Sequence, residues 1–220
     1  MLRDRGATVH AGEAEWSVSP SSVNGGEIEI EPDLSSAAPF LAAPLLAGGV
    51  VRVAGWPAES LQAGAATPAT LAAMGASCHH DGDTLVVEGS GEVNGIDVDL
   101  AHNPELACVL AAVAALASTP SRLRGIGHMR GHETDRLAAL AVELGGLGAN
   151  VVEHEDGLEF KPASLHGGVF HTYDDHRLAM AGAVVGLVVP RVQVENVETT
   201  SKTYPGFAEQ WRAMVDGDAR

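Results

Sequence analysis

NPELACVLAAVAALASTPSRLRGI, residues 103–126, holds an apolar run from Leu106 to Ala117 with no polar face. A helix that is apolar all round belongs inside a protein. At about a dozen residues it falls short of the roughly 18 needed to cross a bilayer. The run closes at Ser118-Thr119-Pro120 and gives way to SRLRGI, a short alternating strand. A buried helix followed by a strand is therefore the expected element.

The same pattern occurs twice more. PDLSSAAPFLAAPLLAGGVVRVAGW starts at Pro32, and DDHRLAMAGAVVGLVVPRVQVENV starts at Asp174. Ala37, Cys108 and Ala179 hold equivalent places, 71 residues apart. A second pattern interleaves: MLRDRGATVH, TLAAMGASCH and ELGGLGANVV each end a helix at Gly-Ala, then turn into strands such as TLVVEGS and LEFKPAS. One unit thus holds a buried helix, a strand, an amphipathic helix and a hairpin. Three Ala-rich helices at a centre force the strands outside them, the reverse of the usual α/β layering.

The chain has 220 residues, 45% of them hydrophobic, so a sizeable core is expected. A formal net charge of −16 argues against nucleic acid or an anionic membrane surface as a partner. Small anions remain possible ligands if the few cations gather in one place. Lys161 and Lys202 are the only lysines. Cys78 and Cys108 fit neither a metal pattern nor a disulfide framework, and no signal-peptide pattern opens the chain. A reduced, soluble, cytoplasmic protein is the expectation.

Polar residues at the helix starts carry the functional signal. Three buried helix N-termini brought together attract a phosphate or carboxylate, because each presents unpaired N–H groups. Glu105 opens the second buried helix, where Asp33 and Ser35-Ser36 open the first and Asp175-His176 the third. Helix capping is the plain alternative for each. GHETDRL (131–137) places His132, Glu133, Asp135 and Arg136 before an amphipathic helix; TYDDHRLAM (172–180) places His176 and Arg177 at a buried one; TTSKTYPGF (199–207) holds Lys202. His128 and His132 have zinc-like spacing, but no third ligand is evident and no metal is expected.

These strings together resemble the 5-enolpyruvylshikimate-3-phosphate synthase family of enolpyruvyl transferases. GHETDR is similar to its (K/H)ETDR box, YDDHRLAM to its (N/D)DHRMAM box and SKTYPGF to its KT(F/Y)P box. EPDLSSAAPFLAA resembles the segment crossing from its N-terminal to its C-terminal domain. The related UDP-N-acetylglucosamine enolpyruvyl transferases lack this combination. The resemblance implies an α/β (α+β) domain of repeated βαβαββ units, with buried parallel helices and sheets outside. It implies that residues 1–26 end an N-terminal domain and that 27–220 form the C-terminal domain. Most of the N-terminal domain and a short N-terminal strand would then be missing.

The activity implied is transfer of the enolpyruvyl group of phosphoenolpyruvate to the 5-hydroxyl of shikimate 3-phosphate, with release of phosphate and without a metal or organic cofactor. By the same resemblance Glu105 accepts a proton and contacts shikimate 3-phosphate. Glu133 donates a proton, which requires a raised pKa. His176 assists proton transfer. His132 and His128 contact shikimate 3-phosphate, and Arg136, Arg177 and Lys202 hold phosphoenolpyruvate. The isolated chain is expected to be nearly inactive, with a complementing N-terminal half as the expected partner; the alternatives are a non-catalytic anion-binding remnant or a UDP-N-acetylglucosamine enolpyruvyl transferase.

Overall fold

The computed structural model describes residues 1–217; residues 218–220, the end of the expected 27–220 domain, lie outside the described residues. The chain divides into two compact units, Met1–Glu31 and Pro32–Arg220. The sequence placed this boundary after residue 26. Residues 19–33 form no helix or strand, so local pattern gives no landmark within that run.

In the first unit a 3-10 turn, Arg3–Arg5, ends at Gly6 and leads into an antiparallel hairpin of β1 (Val9–Ala11) and β2 (Trp16–Val18). The second unit holds the repeat. Its first copy runs α1 (Ala38–Ala47), β3 (Gly49–Val53), α2 (Thr67–Ala73), β4 (Ser77–Asp81) and β5 (Thr84–Gly89), with β5 between its two partners in one sheet. The second copy is complete: β6 (Asp97–Asp99), α3 (Ala107–Ala115), β7 (Ser121–Arg124), α4 (Arg136–Gly146), β8 (Asn150–His154) and β9 (Gly157–Lys161). The third is β10 (Gly168–Phe170), α5 (His176–Gly186), β11 (Val192–Val194), a 3-10 helix Val197–Lys202, and α6 (Phe207–Asp216).

β6 and β10 went unread in the sequence. Each has three residues, and each pairs in parallel with the strand that follows the buried helix, β7 or β11. A three-residue strand has no measurable period of its own; the crossover pairing creates it.

All nine residues of α3 are buried, and α1 and α5 are buried along nearly their whole length. The three pack on one another, and the strands face them from outside: Leu158 and Phe160 of β9 turn inward while Glu159 and Lys161 alternate outward. The turns behave alike across the repeat. Gly6, Gly75 and Gly148 all take positive φ, at 83°, 116° and 97°, where a side chain is strained. Among the described residues no helix is long and apolar enough to cross a membrane.

Candidate active site

The starts of α1, α3 and α5 meet at one end of the second unit, so the buried helices run in the same direction. Arg177, at the second position of α5, ties them together. Its Nη1 donates to the carbonyl of Ser35, just before α1, at 3.1 Å. Its Nε lies 3.0 Å from Glu105 Oε2, ahead of α3, without the alignment of a hydrogen bond.

Arg136 opens α4 and is only 1% exposed. Such a buried cation persists only with charge partners on several sides. Its Nε donates to Asp175 Oδ2 at 2.7 Å, and its Nη2 to Asp175 Oδ1 at 3.2 Å and to Glu133 Oε2 at 2.8 Å. Nη1 lies 3.0 Å from His132 Nδ1 and 3.6 Å from Glu105 Oε2. The fork geometry that lets arginine hold one carboxylate through two bonds is used here on Asp175.

Lys202, at the end of the 3-10 helix, reaches Glu133 Oε1 from the opposite side. The Lys202 hydrogen bond is the main reason that the Glu133 carboxyl sits low, at about 2, with Arg136 adding to it against the smaller upward push of burial. The sequence expectation was a raised pKa for this residue. The structure gives the opposite, because two cations flank the carboxylate. His176 lies beside them, its Nδ1 3.9 Å from Glu133 Oε1. Burial, and then the Arg177 charge, push its pKa below the ordinary histidine value, which favours the neutral ring. Its Nδ1 is buried and makes no hydrogen bond among the described residues.

The structure therefore brings together Glu105, Glu133, Arg136, His176, Arg177 and Lys202, with His132 at the edge. His128 is exposed, and its ring stacks edge-on to that of His132 at 5.9 Å; among the described residues it makes no hydrogen bond or ion pair with the charged cluster. Capping accounts for other residues of the same motifs. Asp135 caps α4 by accepting from the Ala138 N–H at 3.0 Å, and Asp33 accepts from the N–H groups of Ser35 and Ser36. Glu105 makes no cap bond, so capping fails for it and pairing with arginine replaces it.

Asp175 is the functional residue that the sequence left as a plain cap. It does cap α5, accepting from the Arg177 N–H at 2.8 Å, but it is fully buried and also fixes Arg136. Two adjacent acids before a buried helix were the available signal, since one cap needs only one. A cavity of about 750 Å3 lies nearby, lined by Asp33, Ser36, Phe40 and Tyr204; Glu133, Arg136 and Lys202 do not line it.

A family model for EPSP synthase (3-phosphoshikimate 1-carboxyvinyltransferase) matches residues 1–211. A curated 3-phosphoshikimate 1-carboxyvinyltransferase of Kocuria rhizophila is 49% identical over 219 residues, covering 99% of this chain and 49% of that protein. A solved EPSP synthase from Acinetobacter baumannii superposes with a TM-score of 0.73 at 24% identity, over 94% of this chain and 52% of that one. The enolpyruvyl transferase NikO from Streptomyces tendae gives 0.68 at 20% identity, over 94% and 50%. At those identities the two structures speak for the fold. The chain spans about half the length of the relatives it matches.

Proposed function

Because the chain belongs to the EPSP synthase family, we propose that it supplies one wall of a site that moves the enolpyruvyl group of phosphoenolpyruvate to the 5-hydroxyl of shikimate 3-phosphate. One observation carries the reading: Glu105, Glu133, Arg136, Arg177 and Lys202, spread over nearly a hundred residues of sequence, share a single cluster at the starts of the buried helices.

The chemistry is addition followed by elimination. Glu105 takes the proton of the attacking hydroxyl while its oxygen bonds to the central carbon of phosphoenolpyruvate and Glu133 protonates the methylene carbon. In the second step the carbon–oxygen bond to phosphate breaks, the released phosphate takes up the proton held by Glu105, and the deprotonated Glu133 takes a proton from the methyl group, restoring the double bond. Arg136, Arg177 and Lys202 hold the carboxylate and phosphate while charge moves. Neutral His176 relays a proton beside Glu133, and His132 and His128 face shikimate 3-phosphate. Each step is proton transfer and charge stabilisation by side chains, so the proposal calls on no metal or organic cofactor.

Positioning supplies much of such a rate, and the opposite wall belongs to an N-terminal half. Residues 1–26 are read as the end of that half. The test is to mix the chain with a separately expressed N-terminal half of an EPSP synthase and follow phosphate release from both substrates. Turnover above either half alone is expected. No gain on mixing, with no binding of phosphoenolpyruvate in calorimetry, would overturn the proposal.

A further inference from the structure

Outside the charged cluster, the turn that delivers Asp175 is unusual. Tyr173 and Asp174 both adopt left-handed backbone, with φ of 54° and 55°, though neither is glycine. Consecutive residues stay in that region only when their surroundings over-determine it. They are held from two sides. On one side stands Glu143, a buried carboxylate two turns into α4. Its Oε1 accepts from the Tyr173 hydroxyl at 2.7 Å, and its Oε2 from the His171 backbone N–H at 2.8 Å, with His171 Nδ1 at 3.1 Å. On the other side Asn196 Nδ2 donates to Asp174 Oδ1 at 2.6 Å, and Thr199 Oγ1 donates to the Asp174 carbonyl at 2.6 Å.

Both clamps spring from elements that carry the site. α4 begins with Arg136, and the 3-10 helix holding Thr199 ends with Lys202. The clamped turn runs directly into Asp175, which grips Arg136. A displacement at residues 173–174 therefore moves the carboxylate that sets the arginine fork. Helix capping and core packing leave Glu143 unexplained, because a leucine would serve the inward face of α4 better than a carboxylate whose bonds all go to one loop.

We propose that Glu143 is a positioning residue: by clamping the left-handed Tyr173–Asp174 turn it holds Asp175 in register with Arg136, and so sets the geometry of the cationic wall without touching an anion. The importance of that geometry rests on the anion-binding reading above; the clamp itself does not.

The test separates the two. In the full-length chain labelled with nitrogen-15, the Arg136 Nε–H, assigned by its loss in Arg136→Lys, is followed by hydrogen exchange. Glu143→Gln is expected to cut its protection at least tenfold. Tyr173→Phe, which removes one bond of the clamp and is the milder variant should Glu143→Gln fail to fold, is expected to cut it about threefold. Leu85→Ala, in the core behind the first sheet, serves as a variant of lowered stability that leaves the resonance in place. Protection unchanged in Glu143→Gln or, failing that, in Tyr173→Phe, or lost equally in Leu85→Ala at matched stability, overturns the proposal. Calorimetry with phosphoenolpyruvate is the second arm: a weaker complex in Glu143→Gln supports the consequence for the site. Absence of binding by the parent chain counts against the anion reading alone, and the exchange result still decides the clamp.

Discussion

Replacing Arg136 by methionine tests whether the cluster is a true buried ion network. Arg136 is 1% exposed and its chief partner Asp175 is 0% exposed, so solvent screening is negligible for this pair. Methionine keeps much of the length and removes the charge, leaving the Asp175 carboxylate buried with, among the described residues, one hydrogen bond, from the Arg177 N–H, and His176 Nδ1 at 4.0 Å. Breaking a buried pair in this way costs about 3–5 kcal/mol. For a chain of this size each kcal/mol lowers Tm by about 2–4 °C, so a fall of roughly 6–20 °C is expected in thermal melts followed by circular dichroism. Adding Asp175→Asn removes the stranded charge while its amide oxygen still caps α5. The double variant is expected to regain more than half of the loss. A single variant melting within about 2 °C of the parent, or a double variant less stable than the single one, would mean that the two side chains do not share a buried contact.

Glu133 has a depressed pKa in the folded chain, so its pairing stabilises the fold above its ordinary value of 4.5 and that contribution disappears as pH falls through about 2. Stability measured between pH 5 and 2 is expected to fall more steeply in the parent than in Glu133→Gln; equal slopes refute the pairing. Lys202→Met is expected to bring the Glu133 carboxyl up toward 4.5 in a carbon-13 titration, and a carboxyl still near 2 removes Lys202 as the main cause. Arg177→Met removes a charge-assisted contact of about 1.5–3 kcal/mol and is expected to weaken phosphoenolpyruvate binding about 10- to 100-fold in calorimetry; unchanged affinity places the anion elsewhere. Gly148→Ala puts a side chain at a φ of 97°, against Ser164 and His166 atoms at 3.1 Å, and is expected to cost roughly 1–2 kcal/mol in urea unfolding. Gly146→Ala, with open space around it, is expected to be neutral or to stabilise by up to about 1 kcal/mol; the reverse order refutes the turn assignment.

The repeat was legible because its signals are local. An unbroken apolar run announces α3, and Gly-Ala after a helical pattern announces the positive-φ turns at Gly6, Gly75 and Gly148. The site residues were legible through motif strings, each of which gathers its polar residues within seven to nine positions. What stayed hidden is non-local. β6 is a strand only because it lies against β7, with Asp97 opposite Arg122. Asp175 read as a cap because its second partner, Arg136, is 39 residues away. Glu143 sits in an amphipathic helix, and nothing in its own segment points to Tyr173, 30 residues away. The low pKa of Glu133 was hidden for the same reason: Lys202 lies 69 residues further on.

The charge balance of the cluster ties binding to acid chemistry. Arg136, Arg177 and Lys202 face Glu105, Glu133 and Asp175, so three permanent cations are already matched by three carboxylates. An entering anion must therefore exchange partners with a carboxylate instead of filling a bare positive hole. Asp175 is buried and fixed by its cap bond, so it cannot give way. Glu105 and Glu133 keep about a third of their side chains exposed and can swing toward solvent or substrate. On the proposed function, a phosphate or carboxylate that draws Lys202 and one arm of Arg136 to itself takes from Glu133 the hydrogen bond and the charge that hold its proton affinity down. Its pKa then climbs as the anion binds, and the carboxyl becomes a better proton donor at the moment a donor is needed. The low value in the free chain and the acid role are two states of one network, with the anion as the switch between them.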